Sequence, residues 1–143
     1  MDPIKIFENY SSDFELTIVD DNWSRLEKYF AKDATYLNVG FPESISKGPV
    51  AIIEFLKIDV SKYDRKFDSR TLTGLTPPKV ENNRLSRTWR CTYKLAGTKD
   101  LVLEGESRYL FADNLIKEYE GELTSDSFKK LEEWMKEFGE KIK

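Results

Sequence analysis

The chain has 143 residues, 39% of them apolar, and its 23 basic and 26 acidic residues give a net charge of −3. This size predicts one domain over residues 1–143, and the interspersed charges lack the clustered cations that nucleic acid binding needs. Histidine is absent and Cys91 is the single cysteine, which excludes histidine triads, histidine-ligated zinc and an intrachain disulfide. No stretch approaches 18 consecutive apolar residues, so we expect a cytoplasmic protein without a signal peptide or membrane span.

The first half of the chain predicts helices. Apolar residues recur at helical spacing over residues 4–20, and a second helix carrying Trp23, Leu26 and Tyr29 follows a cap at Asn22. The segment "ATYLNV" predicts a strand and is followed by a loop. Gly48-Pro49 then opens a third helix, "PVAIIEFLKI".

From Phe67 onward the apolar period changes from 3.6 to 2. Four segments, residues 67–75, 84–95, 99–111 and 115–123, predict an antiparallel meander with one covered face. Thr124-Ser125-Asp126 predicts the cap of a last helix, and its tail "KEFGEKIK" should fray. Helices followed by strands predict an α+β fold with helices on one face of a curved sheet.

Arg87 is the most informative single residue. It is in phase with Leu85, Trp89 and Cys91, and a guanidinium buried on that face needs a carboxylate partner, for which Glu118, Glu120 or one of the helical acids would serve. The alternative is that Arg87 lies near a sheet edge and reaches water, or that this face is a dimer surface.

The direction of the last strand stays open at this stage. Glu118 and Glu120 share one face with Ile116, whereas Leu115, Tyr119 and Leu123 share the other. If the glutamates point inward, one of them could titrate at a raised pKa and act as an acid. If they point outward, they are solvated charges, and alternation alone does not decide between the two.

Two further patterns bear on a pocket. Tyr36 and Asn38 lie in phase on the first strand and could orient a water or a carbonyl, or else serve as a core tyrosine and a strand-end cap. Gly105 and Ser107 leave side-chain volume missing on one face, which leaves room for a ligand or for a facing Trp23 or Trp89. Cys91 fits a small core side chain.

The element order and the segments "NWSRLEKYFAKDATY", Gly48–Leu56 and "YLFADNLIKEYEGEL" resemble the nuclear transport factor 2-like superfamily. This superfamily includes SnoaL-like polyketide cyclases, ketosteroid isomerases and limonene epoxide hydrolase. The resemblance implies a cystatin-like cone with N-terminal helices packed on a curved, mostly antiparallel sheet, an extra C-terminal helix, and a dimer through the sheet. Function in such a fold depends on the site.

At the three positions that correspond to the catalytic residues of the ketosteroid isomerases, this chain has different residues. Their carboxylate base falls at Asn38, their tyrosine donor at Phe14 and their protonated aspartate at Ser107. An amide cannot take the proton and a phenyl ring cannot donate one, so the resemblance does not imply isomerase activity.

The match to limonene epoxide hydrolase is closer. Tyr36-Leu37-Asn38 matches its Tyr-x-Asn, Glu120 stands for its last-strand aspartate, and Arg87 or Arg90 stands for its arginine. The carboxylate two residues beyond that arginine becomes Trp89 or Thr92, so one acid of that family is missing here.

We therefore expect a SnoaL-like pocket for a small hydrophobic molecule, with Tyr36, Asn38, Arg87 and Glu120 as candidate catalytic residues of a water- or proton-transfer enzyme. Such an enzyme would be cyclase-, dehydratase- or epoxide hydrolase-like. The alternative is a non-catalytic ligand-binding or dimerisation module. We expect no metal or cofactor, and the expected pocket-lining residues are Phe14, Trp23, Trp89, Ser107 and Glu118.

Overall fold

A computed structural model describes residues 2–41 and 45–143. The helices are α1 (Pro3–Asp20), α2 (Pro49–Lys62) and α3 (Ser125–Phe138), with 3₁₀ helices at Trp23–Tyr29, Asp64–Lys66 and Gly139–Ile142. The strands are β1 (Phe30–Val39), β2 (Ile45–Lys47), β3 (Ser69–Gly74), β4 (Lys79–Glu81), β5 (Arg84–Lys94), β6 (Leu101–Ala112) and β7 (Leu115–Leu123).

Helix boundaries follow from local chemistry. The Asp2 carboxylate accepts a hydrogen bond from the Ile4 amide to cap α1, and Pro3 occupies a first-turn position that needs no amide donor. Thr124 caps α3 by accepting a bond from the Ser127 amide. Gly48 precedes α2 with a positive φ of 83°, which glycine adopts without strain.

The seven strands form one mixed sheet in the order β2-β1-β7-β6-β5-β3, with β4 paired to β5. Strands β3, β5, β6 and β7 make the predicted antiparallel meander, and β1 lies parallel to β7. The α+β fold predicted from the sequence is thus confirmed.

The helices cover one face of the sheet, here called the inner face. One cluster of buried residues joins α1 and α2 to this face around Tyr10, Leu26 and Ile116, and another packs Trp134 of α3 against Leu101 and Leu103. The result is a cone that α1 closes at one end and α3 bounds at the other. Arg90, Glu104 and Arg108 lie on the opposite, outer face.

Local predictions differ from the structure in four places. The second helix is a 3₁₀ turn in which the Asn22 side chain makes no cap hydrogen bond. The predicted turn after β3 contains the short strand β4, and the predicted loop after β1, which lies partly outside the described residues, contains β2. The tail does not fray, because Gly139–Ile142 forms a 3₁₀ helix and Ile142 is buried against the α3 cluster.

Candidate functional site

A cavity of about 470 Å³ lies between the inner face of the sheet, the C-terminal half of α2 and α3. The sheet contributes mainly aromatic and small residues, α2 contributes Phe55, Ile58 and Asp59, and the C-terminal segment contributes Leu131, Met135 and Ile142. Most of the lining is apolar, and its polar groups are few. Both features are typical of sites for small organic molecules. The sheet residues in the lining include Tyr36, Asn38, Trp89, Tyr93, Leu101, Leu103, Ser107, Tyr119, Gly121 and Leu123.

Aromatic rings form a continuous wall along this cavity. The Tyr36 ring centroid lies 4.7 Å from that of Tyr119 and 5.4 Å from that of Phe55. Further along, the Phe67 and Tyr93 centroids are 4.9 Å apart. Rings at these separations pack against one another as aromatic pairs.

Asp59 is the distinctive polar group of the cavity. It lies in the last turn of α2, and its carboxylate forms no hydrogen bond or ion pair with any of the described residues. Burial, together with the nearby charge of Asp64, raises the pKa of Asp59 to about 6, while Lys62 acts in the opposite direction. A carboxyl group with such a pKa can give or take a proton near neutral pH.

Asp64, in contrast, is paired. Arg70 Nε lies 2.7 Å from Asp64 Oδ2, and Arg70 also donates to Glu15 at 2.7 and 3.0 Å. Both side chains of the Arg70–Asp64 pair are mostly buried, at 15% and 11% exposed. Arg70 therefore ties α1, the segment after α2 and β3 together beside the cavity.

The cavity tyrosines are neutral donors. Burial raises the pKa of Tyr36 well above its ordinary value, and the neighbouring Tyr119 and Asp59 add to this shift. Burial also raises the pKa of Tyr119, although Arg87 and Arg70 oppose that shift. Both phenols keep their protons at neutral pH and can donate hydrogen bonds to a ligand.

Four of the residues singled out in the sequence lie in the cavity lining: Tyr36, Asn38, Trp89 and Ser107. The space left by Gly105 is taken by Trp89, because a Cβ built at Gly105 would lie 2.6 Å from the Trp89 ring and 2.5 Å from the Glu122 carbonyl oxygen. At this position the missing side chain makes room for the facing tryptophan.

Glu118 and Glu120 lie on the outer face of the sheet. Tyr119 between them pairs with Tyr36 and Tyr109 and faces the cavity. Glu120 accepts a hydrogen bond at 3.0 Å from Arg108, which also binds Glu106 and Glu122. The structure does not bring Glu120 together with Arg87, Tyr36 or Asn38.

Arg87 lies on the inner face, without an acidic partner among the described residues. Its guanidinium carbon is 5.0 Å from the centre of the Phe7 ring, a cation–π contact, and its Nε is buried without a hydrogen bond. It sits at the α1 end of the cone, and the cavity lining does not include it. The predicted Arg–Glu pair is not formed.

Phe14 and Trp23 also lie away from the cavity. Both belong to the core around α1, where their ring centroids are 6.2 Å apart, and Trp23 Nε1 donates to Asp21 Oδ1 at 2.6 Å. Their contribution is to packing beneath the closed end of the cone.

Asp59 escaped the sequence reasoning because the predicted third helix stopped at Ile58. A signal was nevertheless present. Ile52, Leu56, Asp59 and Tyr63 are spaced by four, three and four residues, so the aspartate falls on the apolar stripe of α2. A carboxylate on a stripe that must be buried is a candidate site residue.

Proteins of known structure share this architecture. An NTF2-like protein from Anabaena variabilis has 16% identity and a TM-score of 0.68, covering 86% of this chain and 90% of its own. The chain has the NTF2-like fold. An LEH-like epoxide hydrolase from M. tuberculosis has 14% identity and a TM-score of 0.60, covering 89% of this chain and 90% of its own.

TerC, co-crystallised with polyporic acid, has 13% identity and a TM-score of 0.63, covering 92% of this chain and 99% of its own. The predicted superfamily resemblance is confirmed as a shared fold. No protein-family model and no curated protein matches the sequence.

Among residues 2–41 and 45–143, no helix has both the length and the apolar character of a membrane span. No group of three or more potential metal ligands lies together in the same part of the chain.

Proposed function

We propose that this protein binds a small, largely apolar molecule in the cavity and transfers a proton to or from it through Asp59. The observation that carries the proposal is one unpaired carboxyl group, with a pKa of about 6, in a cavity whose lining is mostly apolar and aromatic. At pH 6–7 both protonation states of such a group are populated, which is the condition for general acid–base catalysis.

Other groups of the lining have supporting roles in this proposal. Tyr36 and Tyr119 donate hydrogen bonds to the oxygen or nitrogen of the bound molecule. Asn38, retained from the sequence prediction, orients a water or a carbonyl, and Ser107 adds a small hydroxyl to the sheet wall. Glu120 and Arg87 are not part of the proposed proton transfer, since neither lies in the lining.

The test is turnover by matched variants. Small epoxides, enones and cyclic ketones are incubated with the protein in D₂O or ¹⁸O-labelled water, and label incorporation is followed by mass spectrometry. Asp59→Asn should reduce the rate by a factor of roughly 10²–10⁴, because the amide cannot transfer the proton. Glu54→Gln, an exposed acid on the same helix, should leave the rate unchanged. Equal rates in Asp59→Asn and the unsubstituted protein would contradict the proposal.

A second candidate function is a binding module that performs no chemistry. It is favoured by the fact that the described lining holds a single unpaired acid, without the acid–arginine pair expected from the sequence. Under this alternative the panel compounds would bind, as seen by NMR shifts at Phe55 and Tyr36, but no label would be incorporated. The homodimer through the sheet and the cytoplasmic location also remain proposals, the former supported by the outer face that no described helix covers.

A further inference from the structure

Among the charged groups around the cavity, one carboxylate has no cationic partner. The lining includes the charged residues Asp59, Lys62, Asp64 and Glu122. Arg70 neutralises Asp64 at 2.7 Å, and Arg108 binds Glu122 at 3.0 Å on the outer face. Lys62 is solvent-exposed and one turn beyond Asp59, so its charge is screened by water. Asp59 alone faces the cavity as a carboxylate without a partner.

Aromatic rings line the same space. Rings from the sheet, α2 and the segment after it line the cavity, and a ring face carries the negative part of the aromatic quadrupole. A cation placed over such faces is attracted most strongly where water is excluded. These rings are Tyr36, Phe41, Phe55, Tyr63, Phe67, Trp89, Tyr93 and Tyr119.

The two arginines nearest to the aromatic lining do not place a free positive charge in the cavity. Arg70 shares its charge between two carboxylates, those of Asp64 and Glu15. Arg87 packs on Phe7 and does not line the cavity. The tyrosine hydroxyl groups can donate to a neutral ligand, but among the lining groups only Asp59 can balance a full charge.

From these contacts we infer that the cavity recognises positive charge: its ligand is a small apolar molecule whose polar end is an organic cation, or becomes one during the reaction. This inference rests on the proposed function and names the substrate class for it. The protonated carboxyl group of Asp59 gives its proton to an oxygen or nitrogen atom of the substrate. The O–H bond of Asp59 breaks, the new O–H or N–H bond forms, and the carboxylate stays opposite the cation it has made.

Three probes with one skeleton and different charge test this inference. They are adamantan-1-ylmethylammonium, adamantan-1-ylmethanol and adamantane-1-carboxylate, titrated into the full chain at pH 7.5 by calorimetry and by NMR. The ammonium should bind roughly tenfold more tightly than the alcohol, and the carboxylate more weakly than either. In Asp59→Asn the ammonium and alcohol should bind within about twofold of each other, whereas Glu54→Gln should keep the tenfold preference.

The pH dependence gives an independent readout. Between pH 7.5 and pH 5 the affinity for the ammonium should fall by about tenfold as Asp59 takes up a proton, while that for the alcohol should change little. The charged groups that act on Asp59 are Asp64 and Lys62, and the tyrosines Tyr36, Tyr93 and Tyr119 line the same cavity. Burial keeps the tyrosines protonated throughout this range, and Asp64→Asn separates any contribution of Asp64.

The outcomes separate the two proposals. If the alcohol or the carboxylate binds most tightly, or if Asp59→Asn keeps the preference for the ammonium, the inference about charge is overturned while the pocket remains. If none of the three probes binds at millimolar concentration, the small-molecule pocket itself is overturned, and with it the inference.

Discussion

The inner and outer faces of this sheet carry the same kinds of charged residue in different surroundings. On the outer face Arg108 binds three glutamates and Arg90 binds Glu104, all of them at least one-third exposed. On the inner face one arginine, Arg70, pairs with Asp64 in a mostly buried contact, and Asp59 has no partner. Water screens the outer charges, whereas burial raises the pKa of Asp59 on the inner face.

This difference identifies the candidate chemistry. The glutamates that sequence comparison favoured have the right residue type but lie on the solvated face. Asp59, which no comparison indicated, has the surroundings that change its pKa. The difference between the two faces can be tested by removing one charged residue from each face and comparing the effects on stability.

The largest expected effect follows loss of Arg70. Arg70→Met leaves Asp64 buried without its cation, and we expect the free energy of unfolding to fall by about 3 kcal/mol at pH 7. Arg90→Met removes an exposed pair of similar geometry and should cost less than about 1 kcal/mol. Denaturant unfolding of both variants measures the difference, and equal losses would show that the two faces are electrostatically alike.

Asp59 itself should make the protein less stable as pH rises. Its folded pKa of about 6 lies above its ordinary value of 3.8, so the unfolded state ionises first, and stability falls as pH rises from about 4 to about 6. Asp59→Asn should therefore be more stable than the unsubstituted protein at pH 7, by on the order of 2 kcal/mol, with the difference vanishing near pH 4. If Asp59→Asn were less stable than the unsubstituted protein at pH 7, the predicted direction of the effect would be wrong.

The smallest effect belongs to the outer network. Arg108→Met leaves Glu106, Glu120 and Glu122 unneutralised, but at roughly one-third exposure the loss should be about 1 kcal/mol or less. Raising the NaCl concentration from about 0.05 M to about 1 M should remove most of that loss by screening. The loss in Arg70→Met should persist at high salt. An Arg108→Met loss that is insensitive to salt would mean that this network is buried.

Much of the fold was predictable from periodicity, since the long helices and the meander strands all recur near their expected positions. The orientation of β7 was not. In an ideal strand Glu118 shares a face with Ile116, yet both Ile116 and Tyr119 point inward here. The pairing shifts by one residue around Lys117, where Phe111 pairs with Ile116 but Leu110 pairs with Glu118. Such a bulge reverses the phase and leaves no clear trace in alternation.

The site was predictable in part for a related reason. Tyr36, Asn38, Trp89 and Ser107 lie on regular stretches of strand, so their phase gives their direction. Asp59 lies at the end of a helix, where a polar residue on the apolar stripe is easily taken for the boundary. Its place in the cavity depends on residues of β1, β7 and α3 that line the same space and are distant from it in sequence.

The most direct test of the account is an NMR titration of the Asp59 carboxyl carbon in the ligand-free protein, with Asp59→Asn used to assign the signal. We predict an apparent pKa close to 6 for this carboxyl group. A pKa near 4, as in an unperturbed aspartate, would contradict the claim that this cavity holds a desolvated acid.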